Sequence, residues 1–570
     1  KEYLETDPEK IHYAKDTREL RDRWRRILKL QVLDTYLGLV DAQNKKKETK
    51  GAAGNPPAAD RGIDKGLWQE AVAKVRKRNH QYLHRLLQVT RQEYYNRYFD
   101  AVARAFDPHT DYMAPTSKED FDIHMSGSLE GIGALLREED GHIKVVRIIP
   151  GSAAARQGQL QAEDTILAVA EKGGEPVDIS DMRIRDAVSY IRGPKGTEVR
   201  LTVQKPDGTR MVIPIIRDVV QIEETYVKSA VLRTPDNEKV GYIRIPSFYR
   251  DFNGKGRNVT DDTRAALVRL EKKGIQGLIL DLRNNGGGAL TDAVNISGLF
   301  LPGGPVVQVK NTQGMIRVLE DEDPAVVYGG PLIVLVNQFS ASASEILAAA
   351  LQDYGRALII GGEHTHGKGT VQALMDLNRN LPLLHLKKYA DLGALKVTIQ
   401  KFYRINGGST QYKGVEPDIV VPSMLDYLKS GEKYMDNSLP WDQVQNVGYQ
   451  RWQGPHFDIE KARRLARQWV ADSKRFQVIR DELAKAKKRS EQTRLADFLA
   501  GMRQEKKELA KARAEARAVG LLGIDEEENP AAKKGKRKLA EKLAEDPFVN
   551  IALYLMQDSA VPAATVGKAR

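Results

Sequence analysis

Four short runs are apolar at nearly every position: residues 240–245 (VGYIRI), 277–282 (GLILDL), 332–336 (LIVLV) and 357–360 (ALII). A strand with one wet face alternates apolar and polar residues; these do not, so both faces of each must be covered. Helical patterns lie between them, at 262–272, 290–300 and 345–351. Alternating strand and helix predict an α/β core over residues 221–430. Residues 396–405 add a longer strand, closed by an Asn406-Gly407-Gly408 turn.

The flanks read differently. In residues 1–120, Leu20, Trp24, Ile27, Leu28, Val32, Tyr36 and Leu39 recur at helical spacing, and Leu83, Leu87, Thr90, Tyr94, Tyr98 and Val102 continue the pattern. Residues 44–62 (NKKKETKGAAGNPPAADRG) are charged, small and Gly/Pro-containing, the composition of a loop or linker. Residues 121–220 carry short β-rich runs at 143–146, 165–169 and 199–203, with one helical segment at 181–191. Residues 431–570 return to a helical pattern, with Leu465, Trp469, Phe476 and Ile479 as an apolar stripe. Residues 483–516 are rich in Ala, Lys, Arg and Glu, and 533–545, basic then acidic, read as mobile. A chain of 570 residues exceeds one core, and three or four domains are expected.

Composition excludes several chemistries. With no cysteine there is no disulfide, thiolate metal site or cysteine nucleophile. The net charge of +12 comes without a nucleic-acid signature and reads as solvated helix faces, which suit acidic partners or an anionic membrane surface at its periphery. No apolar run is long enough to cross a bilayer, and Lys1 opens a polar stretch, so a signal peptide is expected to be absent from this chain.

The chemistry concentrates in two segments. Residues 339–345 (FSASASE) follow a buried strand where a helix is predicted to begin near Ser344, a junction that exposes a hydroxyl among backbone amides. Residues 366–372 (HGKGTVQ) set Lys368 between two glycines at a strand start. A free lysine is protonated at neutral pH, but burial lowers its pKa, and a neutral amine can take a proton from serine. Gln372 falls four positions on, on the same face of an extended strand, where its amide can orient the amine without adding charge. The residues themselves leave Ser340, Ser342 and Ser344 all open as nucleophile, Ser344 also suiting a helix cap. A third segment, residues 281–288 (DLRNNGGG), ends a strand in glycines whose amides can face an anion. It lacks the Lys-Ser/Thr ending of a nucleotide loop.

Together these strings resemble the C-terminal processing, or tail-specific, serine peptidases of the S41 type. FDPHTDY (106–112), SLEGIGALL (128–136) and RGPKGTEVRLTV (192–203) carry the same resemblance, and ALQDYGRALIIGG (350–362) and QKFYRINGGSTQYKGVEPDIVVP (400–422) are especially similar to the long periplasmic branch of Gram-negative bacteria. It implies a crotonase-like α/β protease core with an inserted PDZ-like domain, flanked by helical regions. It implies Ser342 as nucleophile, Lys368 as general base and Gln372 as its supporting amide. The Ala343 amide and that of Gly286 or Gly287 would form the oxyanion hole, leaving Ser340 and Ser344 to packing and capping. In the PDZ-like domain, Gly131, Ile132, Gly133 and Ala134 would hold a terminal carboxylate, with Leu129, Ile132 and Val188 as the side-chain pocket. The implied substrates are proteins with nonpolar C-termini, cut in the periplasm without cofactor, metal or nucleic acid, with a lipoprotein adaptor as a further partner.

Two features depart from the pattern. His366 stands where the family usually has an aromatic residue, and an extra residue near Gly361-Gly362 leaves Ser342 and Lys368 26 positions apart. His364 and His366 therefore raise rivals, a histidine base or a metal-binding pair. A PDZ-containing scaffold without activity and an acyl-CoA enzyme of similar core are the alternative functions.

Overall fold

The computed structural model describes residues 2–5, 10–48, 63–252, 256–380, 391–426, 428–490 and 539–561. They fall into two compact units, one drawn from residues 1–94, 421–429 and 464–551, the other from 95–420, 430–463 and 552–570.

In the first unit, α1 (Thr17–Glu48) and α2 (Lys65–Leu87) pair through the later part of the expected stripe, from Val32 to Leu39, while Leu20, Trp24 and Leu28 stay exposed. Tyr36 and Leu37 of α1 are buried with Ala71 and Val75 of α2, and Tyr36 meets Trp68 edge-on at 5.8 Å. Helix α1 runs through residues 44–48, so the expected loop is shorter at that end, and its remainder, 49–62, lies outside the described residues. The helix expected through Leu83, Thr90 and Val102 is two helices, α2 and α3 (Arg91–Arg104). Thr90 and Glu93 explain the break: the Thr90 amide donates to Glu93 at 2.7 Å and the Glu93 amide to Thr90 Oγ1 at 3.2 Å, a capping box that starts a new helix.

The second unit continues with β1 (Asp111–Met113), α4 (Pro115–Ser126) and β2 (Ser128–Gly131). A small domain follows: β3 (Ala134–Glu139), β4 (His142–Ile148), α5 (Ala153–Gln157), β5 (Thr165–Glu171), β6 (Val177–Asp178), α6 (Ile184–Ile191), β7 (Glu198–Gln204) and β8 (Arg210–Ile216). Its sheet runs β3-β4-β5-β7-β8, with β6 on β5, around a core that includes Ile143, Val145, Ile166, Leu201 and Ile213. The single expected helix is two. Short α5 falls outside the expected pattern, and α6 starts only at Ile184 because Asp181 is left-handed, φ 58°, and Arg183 is extended.

After β9 (Asp218–Gln221), which pairs with β2, comes the α/β core: β10 (Lys228–Arg233), β11 (Lys239–Arg244), α7 (Val259–Glu271), β12 (Gly277–Asp281), α8 (Leu290–Gly298), β13 (Gly304–Asn311), β14 (Ile316–Asp321), β15 (Leu332–Leu335), α9 (Ala343–Asp353), β16 (Leu358–Gly361), β17 (Thr370–Asp376), β18 (Ala394–Tyr403) and β19 (Ile419–Val420). The central sheet has the order β10-β11-β12-β15-β16-β19, parallel from β11 onward. Strands β12, β15 and β16 are buried at every position, as their apolar sequences require. A second sheet runs β1-β18-β13-β14, with β17 also on β18. The loops leaving the carboxyl ends of adjacent β12, β15 and β16 carry Gly286, Ser342 and Lys368. In a parallel sheet that is where ligands bind.

Residues 435–455 are largely irregular, not helical, and contain Pro440, Gly448, Gly454 and Pro455. Helix resumes with α10 (Ile459–Asp472) and α11 (Lys474–Ser490), then α12 (Leu539–Leu543) and α13 (Pro547–Ser559). Much of the 483–516 and 533–545 segments lies outside the described residues. Among the described residues no helix is long and apolar enough to cross a membrane.

Candidate active site

Strand β15 leads into a tight turn that ends at Ser342, which immediately precedes α9. Ser342 holds φ 56°, ψ −114°, a backbone shape that serine adopts only under constraint. The structure separates the three serines. Ser340 is buried and donates to Leu282 O at 2.8 Å; Ser344 is buried and donates to Asn285 O at 2.9 Å. Ser342 is partly exposed, and among the described residues its hydroxyl has no acceptor. The helix starts one residue earlier than expected, so Ser342 and not Ser344 occupies the cap position.

Glu345 ties this turn to the lysine loop. It is fully buried, and its Oε2 accepts the amides of both Ser342 (2.8 Å) and Lys368 (3.0 Å). Its Oε1 accepts the Gly367 amide and the Thr365 hydroxyl, each at 2.6 Å. Burial pushes this carboxyl up to about 7, against four donors that favour the anion. The sequence reading missed Glu345, although Ser342-x-x-Glu345 has the spacing of a capping box.

Lys368 precedes β17 by two residues, and its Nζ donates to Gln372 Oε1 at 2.6 Å. Desolvation, helped by the positive charge of Lys396, lowers its pKa to about 8, while Glu432, Glu345 and Asp107 pull the other way. A large fraction is therefore neutral near pH 8, and the Gln372 carbonyl takes one amine hydrogen while leaving the lone pair free.

The two glycines differ. The Gly287 amide already donates to Asn285 Oδ1 at 2.9 Å, and a Cβ on Gly287 would lie 2.8 Å from Ser342 Cβ. The Gly286 amide has no acceptor among the described residues, and nothing lies within 4 Å of the place a Cβ would take. Ala343 N, at the first position of α9, is likewise unengaged. The Gly286 and Ala343 amides are thus open to an acceptor, whereas Gly287 is packed against Ser342 with its amide already engaged.

In the small domain the loop 131–134 precedes edge strand β3. The Gly133 carbonyl accepts from Ile149 N (2.9 Å) and Ser152 Oγ (3.1 Å), and the Ile132 carbonyl from Ala154 N (2.8 Å). With the carbonyls turned inward, the Ile132 and Gly133 amides have no acceptor among the described residues and can receive a carboxylate. Ala134 opens β3 and Gly131 closes β2; Leu129 and Val188 are half-buried, whereas Ile132 is buried in the domain core.

The histidines are placed elsewhere. His364 Nδ1 meets Thr365 O at 2.6 Å, and His366 Nδ1 is 3.9 Å from Glu432, with burial holding the His366 ring below its ordinary pKa. Among the described residues neither bonds to Ser342, and no group of acidic and histidine side chains could hold a metal.

The sequence matches known families along its length. Peptidase family S41 matches residues 239–421, the PDZ domain 120–204, the tail specific protease N-terminal domain 1–116 and the C-terminal domain of tail specific protease 425–560. The chain is 40% identical over 422 residues to a tail-specific protease of Haemophilus influenzae, covering 73% of this chain and 59% of that one. This chain therefore spans about three-fifths of the Haemophilus protein's length. A carboxyl-terminal-processing protease of Picosynechococcus is 34% identical, covering 58% of this chain and 74% of that one. A solved PDZ domain of a Vibrio cholerae carboxy-terminal protease, in complex with peptide, is 38% identical with a TM-score of 0.16, covering 16% of this chain and 98% of that one. On these matches the chain belongs to peptidase family S41, among the tail-specific, carboxyl-terminal-processing proteases.

Proposed function

We propose that the chain is a serine endopeptidase that captures proteins by a nonpolar C-terminus and cleaves them with a Ser342–Lys368 dyad. The observation that carries this reading is the lysine. Its amine is desolvated to a pKa of about 8, oriented by Gln372, and its backbone shares one Glu345 oxygen with that of Ser342. Ser342 Oγ attacks the scissile carbonyl while its proton passes to Lys368 Nζ. The Gly286 and Ala343 amides receive the oxyanion. On collapse the C–N bond breaks and Lys368 returns the proton to the leaving amine. Water then gives a proton to Lys368 and attacks the ester, and that proton returns to Ser342 as the new C-terminus leaves.

In this reading residues 121–220 form the capturing domain, with the 131–134 amides on the substrate's carboxylate, Leu129, Ile132 and Val188 at its terminal side chain, and β3 as the edge that accepts its strand. Residues 221–430 cut, and regions 1–120 and 431–570 flank them. We assign the activity to the periplasm, and an adaptor lipoprotein and an anionic membrane face as partners, on the tail-specific protease relationship and the net charge of +12.

The test uses an unfolded protein ending in Ala-Ala and the same protein ending in Asp-Asp. Wild type cleaves the first far faster; Ser342→Ala and Lys368→Ala cleave neither; His366→Ala retains cleavage. Activity that survives Lys368→Ala and vanishes in His366→Ala overturns the dyad. A wild type with no activity favours a binding scaffold.

A further inference from the structure

The motif at residues 106–112 (FDPHTDY) lies more than 250 positions before the lysine loop, yet its aspartate ends a hydrogen-bond chain that starts at Lys368. Lys368 Nζ donates to Gln372 Oε1 at 2.6 Å; Gln372 Nε2 donates to Thr370 Oγ1 at 2.9 Å and Thr398 Oγ1 at 3.1 Å; Thr398 Oγ1 donates to Asp107 Oδ1 at 2.8 Å. Gln372 and Thr398 face each other directly across β17 and β18, so the sheet fixes their separation.

From this chain we infer that Asp107 is a positioning residue for the general base, setting the direction in which the Gln372 amide faces Lys368. A primary amide can turn end for end with little change of shape, and a threonine hydroxyl can either donate or accept. Gln372 next to hydroxyls alone could therefore present its NH2 to Lys368, and an NH2 cannot accept the amine's hydrogen. A carboxylate only accepts. By taking the one proton of Thr398, Asp107 leaves that oxygen with lone pairs alone, so the NH2 of Gln372 must turn to Thr398 and its carbonyl to Lys368. The amine then spends a hydrogen on Gln372 and keeps its lone pair for Ser342.

Asp107 is built to stay ionised. It is 6% exposed, and it also accepts from Thr110 Oγ1 (2.5 Å), His109 N (2.9 Å) and Thr110 N (3.1 Å). Desolvation opposes the charge, but these bonds and that of Thr398 outweigh it and hold the carboxyl below its ordinary value. Thr110 Oγ1 also accepts the Thr398 amide at 3.1 Å, which locks the motif to β18. The other charges bearing on Lys368 are Lys396 of β18, Glu345 of α9, Glu432 and, when protonated, His366; none of them touches Gln372.

The inference rests on the proposed dyad, and the full chain tests both. The rate of cleavage of the Ala-Ala substrate is measured on both sides of pH 8 for Thr398→Val, Thr398→Ser, Asp107→Asn and Lys368→Ala. Thr398→Val keeps the shape and removes the relay; its kcat is expected to fall roughly 10- to 100-fold with KM within about twofold. Thr398→Ser, which restores a hydroxyl, recovers most of that loss. Asp107→Asn keeps a carbonyl for the Thr398 proton at the position where the His109 and Thr110 amides also need an acceptor, so it retains most of the plateau kcat; because the lost charge holds the Lys368 pKa up, its acid limb moves to lower pH. Thr398→Val with wild-type kcat, or Thr398→Ser no more active than Thr398→Val, overturns the positioning role, as does an Asp107→Asn limb that stays in place. Activity retained in Lys368→Ala would instead overturn the dyad itself.

Discussion

Gly287 shows how little room the Ser342 turn leaves. Its φ of 102° favours glycine, and an added Cβ would stand 2.8 Å from Ser342 Cβ and 2.9 Å from Ala341 O. Gly287→Ala must displace the serine turn, and a shift near 1 Å is expected to cost about 100-fold in kcat. Peptide cleavage set beside thermal melting checks this, since the rate should fall more than the stability. Glu345→Gln is a second case. An amide cannot accept all four donors: with its NH2 toward Thr365 the Gly367 N–H loses its partner, and with it turned the other way those of Ser342 and Lys368 do, at about 1–3 kcal/mol each. A lower melting temperature and a kcat reduced at least tenfold are expected, with KM little changed. At this scale the sequence told part of the story. Lys368 and Gln372 could be paired by strand spacing, but Ser340, Ser342 and Ser344 could not be told apart without the resemblance. Their difference is one of burial and of which backbone carbonyl lies in reach, and both depend on residues 282–285 arriving from another strand. Asp107 was hidden for the same reason, its partner Thr398 being 291 positions away.

At the scale of elements, strands with both faces covered were legible because their composition states their environment. Helix ends were not, because they depend on single caps: Thr90 with Glu93 splits one apolar stripe into two helices, and left-handed Asp181 delays α6. The helical pattern of 459–490 carries the expectation back over 435–455, which Pro440, Gly448, Gly454 and Pro455 keep irregular. The 131–134 loop carries its own prediction. Gly133 has φ 80°, and a Cβ there would fall 2.1 Å from Ser152 Cβ, so Gly133→Ala must reshape the loop whose free amides are proposed to hold the carboxylate. Affinity for a peptide with a free nonpolar C-terminus is expected to drop at least tenfold, roughly 1.4 kcal/mol. A C-terminally amidated peptide, weak on wild type, should bind the variant no worse. Equal binding of the free-acid peptide to both proteins, read by fluorescence anisotropy, would rule out the loop as the carboxylate receptor.

Across the second unit, the Lys368 environment is assembled from segments far apart in the chain, and they act on its charge in opposite directions. Lys396 arrives on β18, where its amine is 2.8 Å from Asp111, and its charge lowers the lysine's pKa. Glu432 lies beyond the central sheet in sequence, is buried, and accepts from His109 (2.8 Å) and from Gln411 (2.9 Å), whose Oε1 in turn accepts the Gly369 amide at 2.7 Å; its charge raises the same pKa. The proposed dyad needs the amine neutral, so kcat should climb with pH through about 8 and level off above it. Removing a cation that lowers the pKa must carry that limb upward, and removing an anion that raises it must carry it down. Lys396→Met is therefore expected to move the acid limb to higher pH and lose activity at pH 7, whereas Glu432→Gln moves it to lower pH while keeping a hydrogen-bonding side chain for His109 and Gln411. Because neither residue touches Ser342, the plateau of each profile should stay within about tenfold of wild type. Limbs that shift together, or not at all, would mean that the titration governing the rate belongs to another group and not to Lys368.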